Sequence, residues 1–147
     1  MSDFIKIQES NFYSIDLKNC DNIPKAFCDA SGCERGLDVM VECIGLPEMW
    51  ENAFNSVRKG GTVHFFGGCK GGEKVSFDTS KMHYGDVRIL SVFHYTPKYF
   101  RQALSLIASG QIDVEKLISA TIGLEQIEFA MKEHIKGDAI KFLVKPW

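Results

Sequence analysis

The sequence lacks the features that mark nucleic-acid-binding, membrane-spanning or secreted proteins. Its 147 residues carry 17 Lys and Arg against 19 Asp and Glu, so no basic field is available to attract a polyanion. No apolar run approaches the roughly 20 residues that a membrane span needs. The N-terminus has neither a signal peptide nor an Arg-rich transit peptide. These absences favour a cytoplasmic globular protein, and the length favours a single domain.

The five cysteines form no recognisable disulfide or zinc-binding pattern. Their number is odd, and no C-x-x-C is present, although a structural zinc site uses such paired short spacings. We therefore expect reduced thiols and no metal site. The cysteines are Cys20, Cys28, Cys33, Cys43 and Cys69.

Two phosphate-binding patterns are also absent. In HFFGGCKGGEK, residues 64–74, Gly67 and Gly72 have the separation found in a phosphate loop, but Glu73 replaces the lysine and VSFDTS follows instead of a helix. The dinucleotide pattern G-x-G-x-x-G occurs nowhere in the chain. The stretch is therefore interpreted as a loop that follows a strand.

Proline and glycine residues mark the ends of the predicted helices. A helix starts at Pro47 with Glu48 in its first turn, and Gly60 and Gly61 follow its basic end. The pattern predicts four helices, over residues 22–32, 47–59, 96–110 and 124–137, and short helical turns at 79–84 and 113–118. The inner faces of the second and third are expected to consist of Met49, Ala53, Phe54 and Val57, and of Phe100, Ala103, Leu104 and Ile107.

Apolar runs between the helices predict strands. Residues 37–45 are apolar nearly throughout, as expected for a strand covered on both faces, and residues 61–68 and 87–95 are similar. Weaker candidates lie at 12–17, 119–123 and 139–146. Alternation of strands and helices indicates a parallel α/β sheet, in which ligands bind beyond the carboxyl ends of the strands. The glycine-rich loop follows one of those ends and is a candidate ligand wall.

Three collinear segments carry a family resemblance: GLDVMVECIGLPEMWENAFNSVRKGGTVHFFGG, VRILSVFHYTPKYFRQALSLIASGQIDVEKLISATIGLEQIEFAMK and GDAIKFLVKP. From Gly36 to Pro146 they resemble the C-terminal part of the cofactor-binding domain of zinc-dependent, medium-chain alcohol or polyol dehydrogenases. The resemblance implies an α/β fold, a partial Rossmann-like parallel sheet flanked by helices that lacks the first strands and the Gly-rich turn. It implies one truncated domain over residues 1–147, with a loosely matching lead-in at 1–35, a core at 36–137 and a C-terminal strand at 138–147.

The family resemblance assigns cofactor-binding roles to three short runs. The first run corresponds to the segment that touches the cofactor ribose, and the other two to backbone that binds the nicotinamide carboxamide of NAD or NADP. The glycines are expected to leave room for the nicotinamide ring beside bare backbone. The three runs are Cys43, Ile44 and Gly45; Phe66, Gly67 and Gly68; and Ser91, Val92 and Phe93.

The chain matches neither the zinc-binding catalytic domain of that family nor its pyrophosphate-binding turn. We therefore expect no catalytic residues, no zinc site, weak or absent cofactor binding and no alcohol dehydrogenase activity from this chain alone. The resemblance implies a homodimer through the Val87–Tyr95 strand, and a companion chain could supply the catalytic domain. The alternative is a non-catalytic remnant that binds nucleotides or dimerises. The substrate and the choice between NAD and NADP stay open.

Several single residues have two interpretations. Glu42 is interpreted as a partnered structural carboxylate rather than a general base. His64 is interpreted as a core or surface histidine rather than a metal ligand, and His134 as solvated. His94 follows the third run, so a polar contact with cofactor or substrate is the less favoured alternative. The thiols of Cys43 and Cys69 lie near the same edge, although spacing does not indicate their reactivity.

Overall fold

The computed structural model describes residues 14–147, which fall into two compact units. One unit ends at His94 and the other begins at Tyr95. The sequence led us to expect one domain over residues 1–147, which stays a prediction.

The unit that ends at His94 alternates helices and strands. Asn22 caps the first helix by accepting a hydrogen bond from the Lys25 N–H at 2.9 Å, and Gly32 ends it with a left-handed φ of 68°. Pro47 opens the second helix, as predicted. The elements are α1 (Ile23–Ser31), β1 (Leu37–Glu42), α2 (Pro47–Ser56), β2 (Val57–Phe65), α3 (Thr79–Tyr84) and β3 (Arg88–Ser91).

The three strands form a parallel sheet in the order β1-β2-β3, which confirms the predicted α/β fold class. Glu42 pairs with Phe65, and Phe65 pairs with Ser91. The last residues of the three strands are therefore neighbours, and the loops that follow them leave the sheet at one edge.

The predicted boundary between α2 and β2 is wrong by several residues. The helix was expected to run to residue 59, but it ends at Ser56, and Val57 is already extended with a φ of −82° and a ψ of 146°. Val57 is buried in the core and pairs with Leu37, whereas Val39 pairs with Thr62, so residues 58–61 form a bulge in β2. Val57 was expected on the inner face of the helix and is buried in the strand instead; as a β-branched residue it favours the extended conformation.

One face of the sheet is packed and the other is open in the described structure. The packed face meets α2 in a cluster of buried apolar side chains. On the open face, Val39 is 61% exposed, Val41 49% and Leu90 55%. The expectation that β1 is covered on both faces is therefore wrong for the described residues, because the helices of this unit pack on one side of it. The core consists of Ala53, Phe54, Val57, Val63, Phe65 and Val87.

Two other predicted strands differ from the structure. The strand expected at 87–95 is shorter, because β3 ends at Ser91 and His94 adopts a left-handed φ of 65° that no strand accommodates. Of the strand expected at 12–17, Phe12 and Tyr13 lie outside the described residues. Asp16 instead caps a single 3-10 turn, Leu17–Asn19, by accepting from the Lys18 N–H at 3.0 Å.

The unit that begins at Tyr95 contains two helices and a second parallel sheet. Thr96 and Pro97 open α4 (Pro97–Ala108), and Gly137 ends α5 (Ile127–Lys136) with a φ of 85°, as predicted. The strands β4 (Ile118–Ile122) and β5 (Lys141–Val144) pair with each other. The apolar face of α4 is exposed, with Phe100 57% accessible, so it is not the inner face that the sequence predicted. Within residues 14–147, no helix is long and apolar enough to cross a membrane.

Candidate functional site

The three runs predicted to bind a cofactor lie at the carboxyl edge of the three-stranded sheet. Residues 43–45 follow β1, residues 66–68 follow β2, and residues 92–93 follow the end of β3 at Ser91. Because the strands are parallel and their last residues are paired, the structure places all three runs side by side. This edge is where parallel α/β sheets bind their ligands.

Glu42 organises the loop after β1. Its side chain is 2% exposed, and its carboxylate accepts the N–H of Ile44 at 2.7 Å and the N–H of Gly45 at 3.0 and 3.1 Å. Its main-chain carbonyl accepts the N–H groups of Phe66 and Gly67, both at 2.8 Å. The geometry agrees with the structural interpretation of Glu42, because its buried carboxylate is hydrogen-bonded to the first loop and its main-chain carbonyl to the second.

The first two loops pack backbone against backbone, and this contact requires glycine. A Cβ at Gly67 would lie 2.6 Å from the Gly45 N and 2.7 Å from the Cys43 carbonyl carbon. Gly45 has a φ of 79°, and a Cβ there would meet the backbone of Gly68. The glycines at 45 and 67 therefore serve the packing of the loops. A Cβ at Gly68 would meet nothing within 4 Å, so the open space beside the backbone lies at Gly68.

Trp50 in α2 stabilises the loop that follows β2. Its indole Nε1–H donates to the Gly67 carbonyl at 3.0 Å. Its ring stacks on the Phe65 ring with centroids 3.9 Å apart and planes 4° from parallel. The loop after β2 is therefore held by two groups, the main-chain carbonyl of Glu42 and the indole N–H of Trp50.

The rim of this edge is apolar and accessible. Ile44 is 61% exposed, Phe66 62%, Val92 46% and Phe93 88%. Large exposed apolar groups clustered at one sheet edge indicate an interaction site more than isolated ones do. The imidazole of His94 stands edge-on to the Phe93 ring, with centroids 3.8 Å apart.

The two thiols predicted near this edge differ in their surroundings. Cys43 is exposed, whereas Cys69 is half-buried. Partial burial, followed by the negative charges of Glu42 and Glu73, raises the pKa of the Cys69 thiol. Cys69 is consequently held as a thiol over a wider pH range than a free cysteine.

Zinc does not fit this chain as described. Among residues 14–147, no three side chains of the His, Cys, Asp and Glu types converge in a way that could hold a metal ion. His134 is exposed on α5 and His64 is half-buried in β2. We therefore derive no catalytic step through zinc from these residues.

A second concave surface lies at the opposite, amino-terminal edge of the sheet. It encloses about 510 Å³ between the end of α2, the start of β2 and α3. Lys81 donates to the Asn55 carbonyl at 2.8 Å and lies 5.3 Å from the centre of the Phe54 ring, and its partial burial lowers its pKa. Arg58 is paired with Asp38 at 2.5 Å.

Sequence reasoning missed Trp50 and the central position of Glu42. Trp50 lies one residue after Met49 in an amphipathic helix, and the helical pattern gives no sign that its N–H reaches a loop 17 residues away. The only available signal was a tryptophan in a helix that packs beneath a glycine-rich strand end.

Parallel strands, helices packed on one face and glycine loops at the carboxyl edge define a Rossmann-type unit. The family model described as "Zinc-binding dehydrogenase" matches residues 13–109. The chain therefore belongs to the zinc-binding dehydrogenase family, and it corresponds to the C-terminal, cofactor-binding part of the medium-chain polyol dehydrogenases within it, as the sequence predicted.

Curated relatives include polyol-metabolising enzymes. Sorbitol dehydrogenase of Bacillus subtilis is 28% identical over 77% of this chain and 32% of its own length. D-xylulose reductase A of Aspergillus oryzae is 26% identical over 75% of this chain and 30% of its own length. The chain thus spans about a third of the length of these relatives.

Solved structures agree with the fold. A protein from Sinorhizobium meliloti 1021 assigned as a zinc-binding dehydrogenase and bound to NADP is 30% identical, with a TM-score of 0.70 over 76% of this chain and 32% of that one. A zinc-binding domain protein of the alcohol dehydrogenase type from Burkholderia ambifaria is 25% identical, with a TM-score of 0.78 over 89% of this chain and 35% of that one.

Proposed function

We propose that this chain forms the nicotinamide side of the cofactor site of an NAD(P)-dependent alcohol or polyol dehydrogenase. By itself it binds the cofactor weakly and does not oxidise alcohols. The observation that carries the proposal is the position of the three runs, which meet at one sheet edge around the open space at Gly68. The NADP in the related structure and the names of the relatives support the class of ligand.

The residues of this edge suit a flat amide-bearing ring. Gly68 is exposed and has room beside its backbone, and the exposed apolar side chains of Ile44, Phe66 and Val92 lie on the loops at the same sheet edge. A carboxamide placed there would exchange hydrogen bonds with backbone, each contributing about 0.5–1.5 kcal/mol. The nicotinamide ring, when bound, would supply hydride-transfer chemistry, and the chain supplies an apolar rim and the backbone N–H of Gly68.

Catalysis requires parts that the described residues do not contain. The relatives are about three times as long, and the zinc ligands expected of the family have no counterpart among residues 14–147. We propose that a companion polypeptide or segment provides them, together with the pyrophosphate site. From the relatives' names we propose a polyol or its ketose as the substrate class. We propose that the same companion polypeptide or segment determines the choice between NAD and NADP.

The test is a titration of the purified chain with NADH, followed by nicotinamide fluorescence. Gly68→Leu introduces a side chain whose Cβ meets no protein atom within 4 Å and which occupies the open space, so it is expected to abolish binding. Gly71→Leu is the matched control, because a Cβ at Gly71 also meets nothing within 4 Å but lies farther along the loop. Gly67→Leu is a poorer probe, because its side chain would strike the loop after β1.

Saturable binding that Gly68→Leu removes and Gly71→Leu preserves supports the half-site. Absence of binding at millimolar NADH, by a folded chain, contradicts the proposal. Turnover of NAD and a polyol by the chain without any companion would contradict the part that denies it catalytic activity.

A second candidate is dimerisation through the edge formed by β3. In the described sheet β3 has a neighbour on one side only, and Ile89 and Leu90 are 36% and 55% exposed. We propose that a second copy pairs along the predicted Val87–Tyr95 segment. Leu90→Lys should convert a dimer to a monomer in light scattering, since a charge disfavours strand pairing; an unchanged mass excludes this edge.

The five free thiols support a proposed cytoplasmic location.

A further inference from the structure

The interaction between Trp50 and Gly67 fixes one peptide plane in the loop after β2. The Gly67 carbonyl and the Gly68 N–H belong to the same peptide unit, and the structure contains no cis peptide bond among the described residues. In a trans peptide the C=O and N–H point in opposite directions. The bond from the Trp50 indole to the Gly67 carbonyl, 3.0 Å long, therefore also sets the direction of the Gly68 N–H.

The Gly68 N–H is the donor that this arrangement leaves available. The N–H groups of Phe66 and Gly67 are both used by the Glu42 carbonyl at 2.8 Å. Within residues 14–147, the Gly68 N–H has no hydrogen-bond partner, and Gly68 is exposed. Because the Gly67 carbonyl points towards Trp50, the Gly68 N–H of the same trans peptide points away from Trp50.

Donation to a peptide carbonyl also makes the N–H of the same peptide a better donor, because hydrogen bonds in a chain polarise one another. Trp50 is half-buried beneath the loop and stacked on Phe65, so its indole has little freedom to rotate away. A preorganised donor of this kind costs no reorganisation when a ligand binds.

We propose that Trp50 is a positioning residue of the cofactor site, aiming the Gly68 N–H at the carbonyl oxygen of a planar carboxamide ligand. This inference rests on the proposed function. It assigns the role to the indole N–H and not to the ring, which has its own packing role against Phe65. The two roles can be separated by substitution.

The experiment compares Trp50→Phe, Trp50→Leu and Trp147→Phe with the unmodified chain. Trp50→Phe keeps an aromatic ring against Phe65 while it removes the donor and part of the ring area, whereas Trp50→Leu removes the donor and the whole aromatic ring. Trp147→Phe makes the same chemical change at a fully exposed tryptophan and serves as the matched control. The two readouts are NADH affinity and amide hydrogen exchange of residues 65–68, with residues 97–108 as the internal reference.

Trp50→Phe is expected to weaken NADH binding about 2- to 10-fold, the factor that one net hydrogen bond is worth. It should also speed exchange of the Phe66 and Gly67 amides, because their loop has lost its second support. Trp50→Leu should match it in affinity and additionally lower the urea midpoint. Trp147→Phe should change neither readout.

Unaltered NADH affinity in Trp50→Phe overturns the inference, whether or not exchange changes, and leaves the proposed function standing. The same holds if only Trp50→Leu weakens binding, since Trp50 would then act by packing alone. If the unmodified chain itself fails to bind NADH, the proposed function fails and the positioning role falls with it. Weaker binding together with faster exchange in Trp50→Phe supports both.

Discussion

Gly67 lies so close to Gly45 that a Cβ on Gly67 would come within 2.6 Å of the Gly45 nitrogen. Real side chains essentially never approach backbone so closely. Their loops come from different strands, so this contact joins β1 to β2 beyond the last paired residues, Glu42 and Phe65. A Cβ on the adjacent residue, Gly68, would meet no atom within 4 Å. The contact between the two loops therefore requires glycine at position 67 but not at position 68.

This difference predicts opposite outcomes for two single-methyl substitutions. Gly67→Ala should lower the free energy of unfolding by about 1–3 kcal/mol, because the loops must separate to admit the methyl group. Gly68→Ala should change it by no more than about 0.5 kcal/mol. Urea denaturation followed by Trp50 fluorescence, with Trp147→Phe as the background, measures both. Equal effects at the two positions would contradict the loop packing described here.

Glu42 supports a second stability prediction. Glu42→Gln keeps the size of the side chain and one acceptor oxygen for the N–H groups of Ile44 and Gly45, but it removes the negative charge from both hydrogen bonds and places an NH₂ group where Oε2 now lies 3.1 Å from the Gly45 nitrogen. We expect a loss of about 1.5–3 kcal/mol in unfolding free energy, the usual value for hydrogen bonds to a charged group. Glu48→Gln, at an exposed site in the first turn of α2, is the control and should lose at most about 1 kcal/mol. A loss at Glu42 no larger than the control's would mean that the carboxylate does not hold the loop.

The parts of the fold that proline, glycine and capping residues determine were predictable from the sequence. Pro47, Pro97 and Gly137 end or begin helices by restricting the backbone locally, so no knowledge of the tertiary structure is needed. The start of β2 at Val57 was not predictable in this way, because it depends on which side chains the core buries.

The candidate site was predictable to the extent that it follows from strand ends. The register of three parallel strands brings the three predicted runs together. The runs at 43–45 and 66–68 were expected at strand ends, whereas the run at 91–93 was expected inside a strand over residues 87–95 that in fact ends at Ser91. The bond from Trp50 to Gly67 joins a helix to a loop and depends on three-dimensional packing. The exposure of Val39 and Val41 likewise depends on which elements cover the sheet, which the alternation of apolar residues does not reveal.

The raised pKa of Cys69 predicts slow alkylation. The thiolate is the reacting species, and negative charge nearby disfavours it, so the pH at half-maximal rate should lie above that of a free cysteine. Glu73→Gln removes one of the charges and should move that pH downwards, towards the ordinary value. Glu128→Gln, on α5, should leave it unchanged. Iodoacetamide labelling at several pH values, read at the Cys69 peptide by mass spectrometry, gives the profile; identical profiles in all three proteins would exclude the electrostatic contribution of Glu73.

His94 holds a left-handed conformation at the carboxyl edge, with a φ of 65°. A non-glycine residue in this region costs roughly 1–2 kcal/mol, whereas glycine adopts it freely but gains about 0.4–1 kcal/mol of entropy in the unfolded chain. His94→Gly should therefore equal the unmodified chain in stability or exceed it by up to about 1 kcal/mol. His94→Val should be less stable by about 1 kcal/mol or more, because a β-branched residue tolerates this region poorly.

His83→Gly is the matched control, because His83 lies in α3 with its neighbours in helical conformation. There glycine should cost about 1 kcal/mol. The same substitution is thus expected to be neutral or stabilising at one histidine and destabilising at the other, when both are compared by urea midpoint. If His94→Gly destabilises as much as His83→Gly does, the backbone at His94 is not strained. A stabilising His94→Gly that also weakens NADH binding would mean that the strain is retained for the sake of the imidazole, because strained backbone persists at sites where function compensates for it.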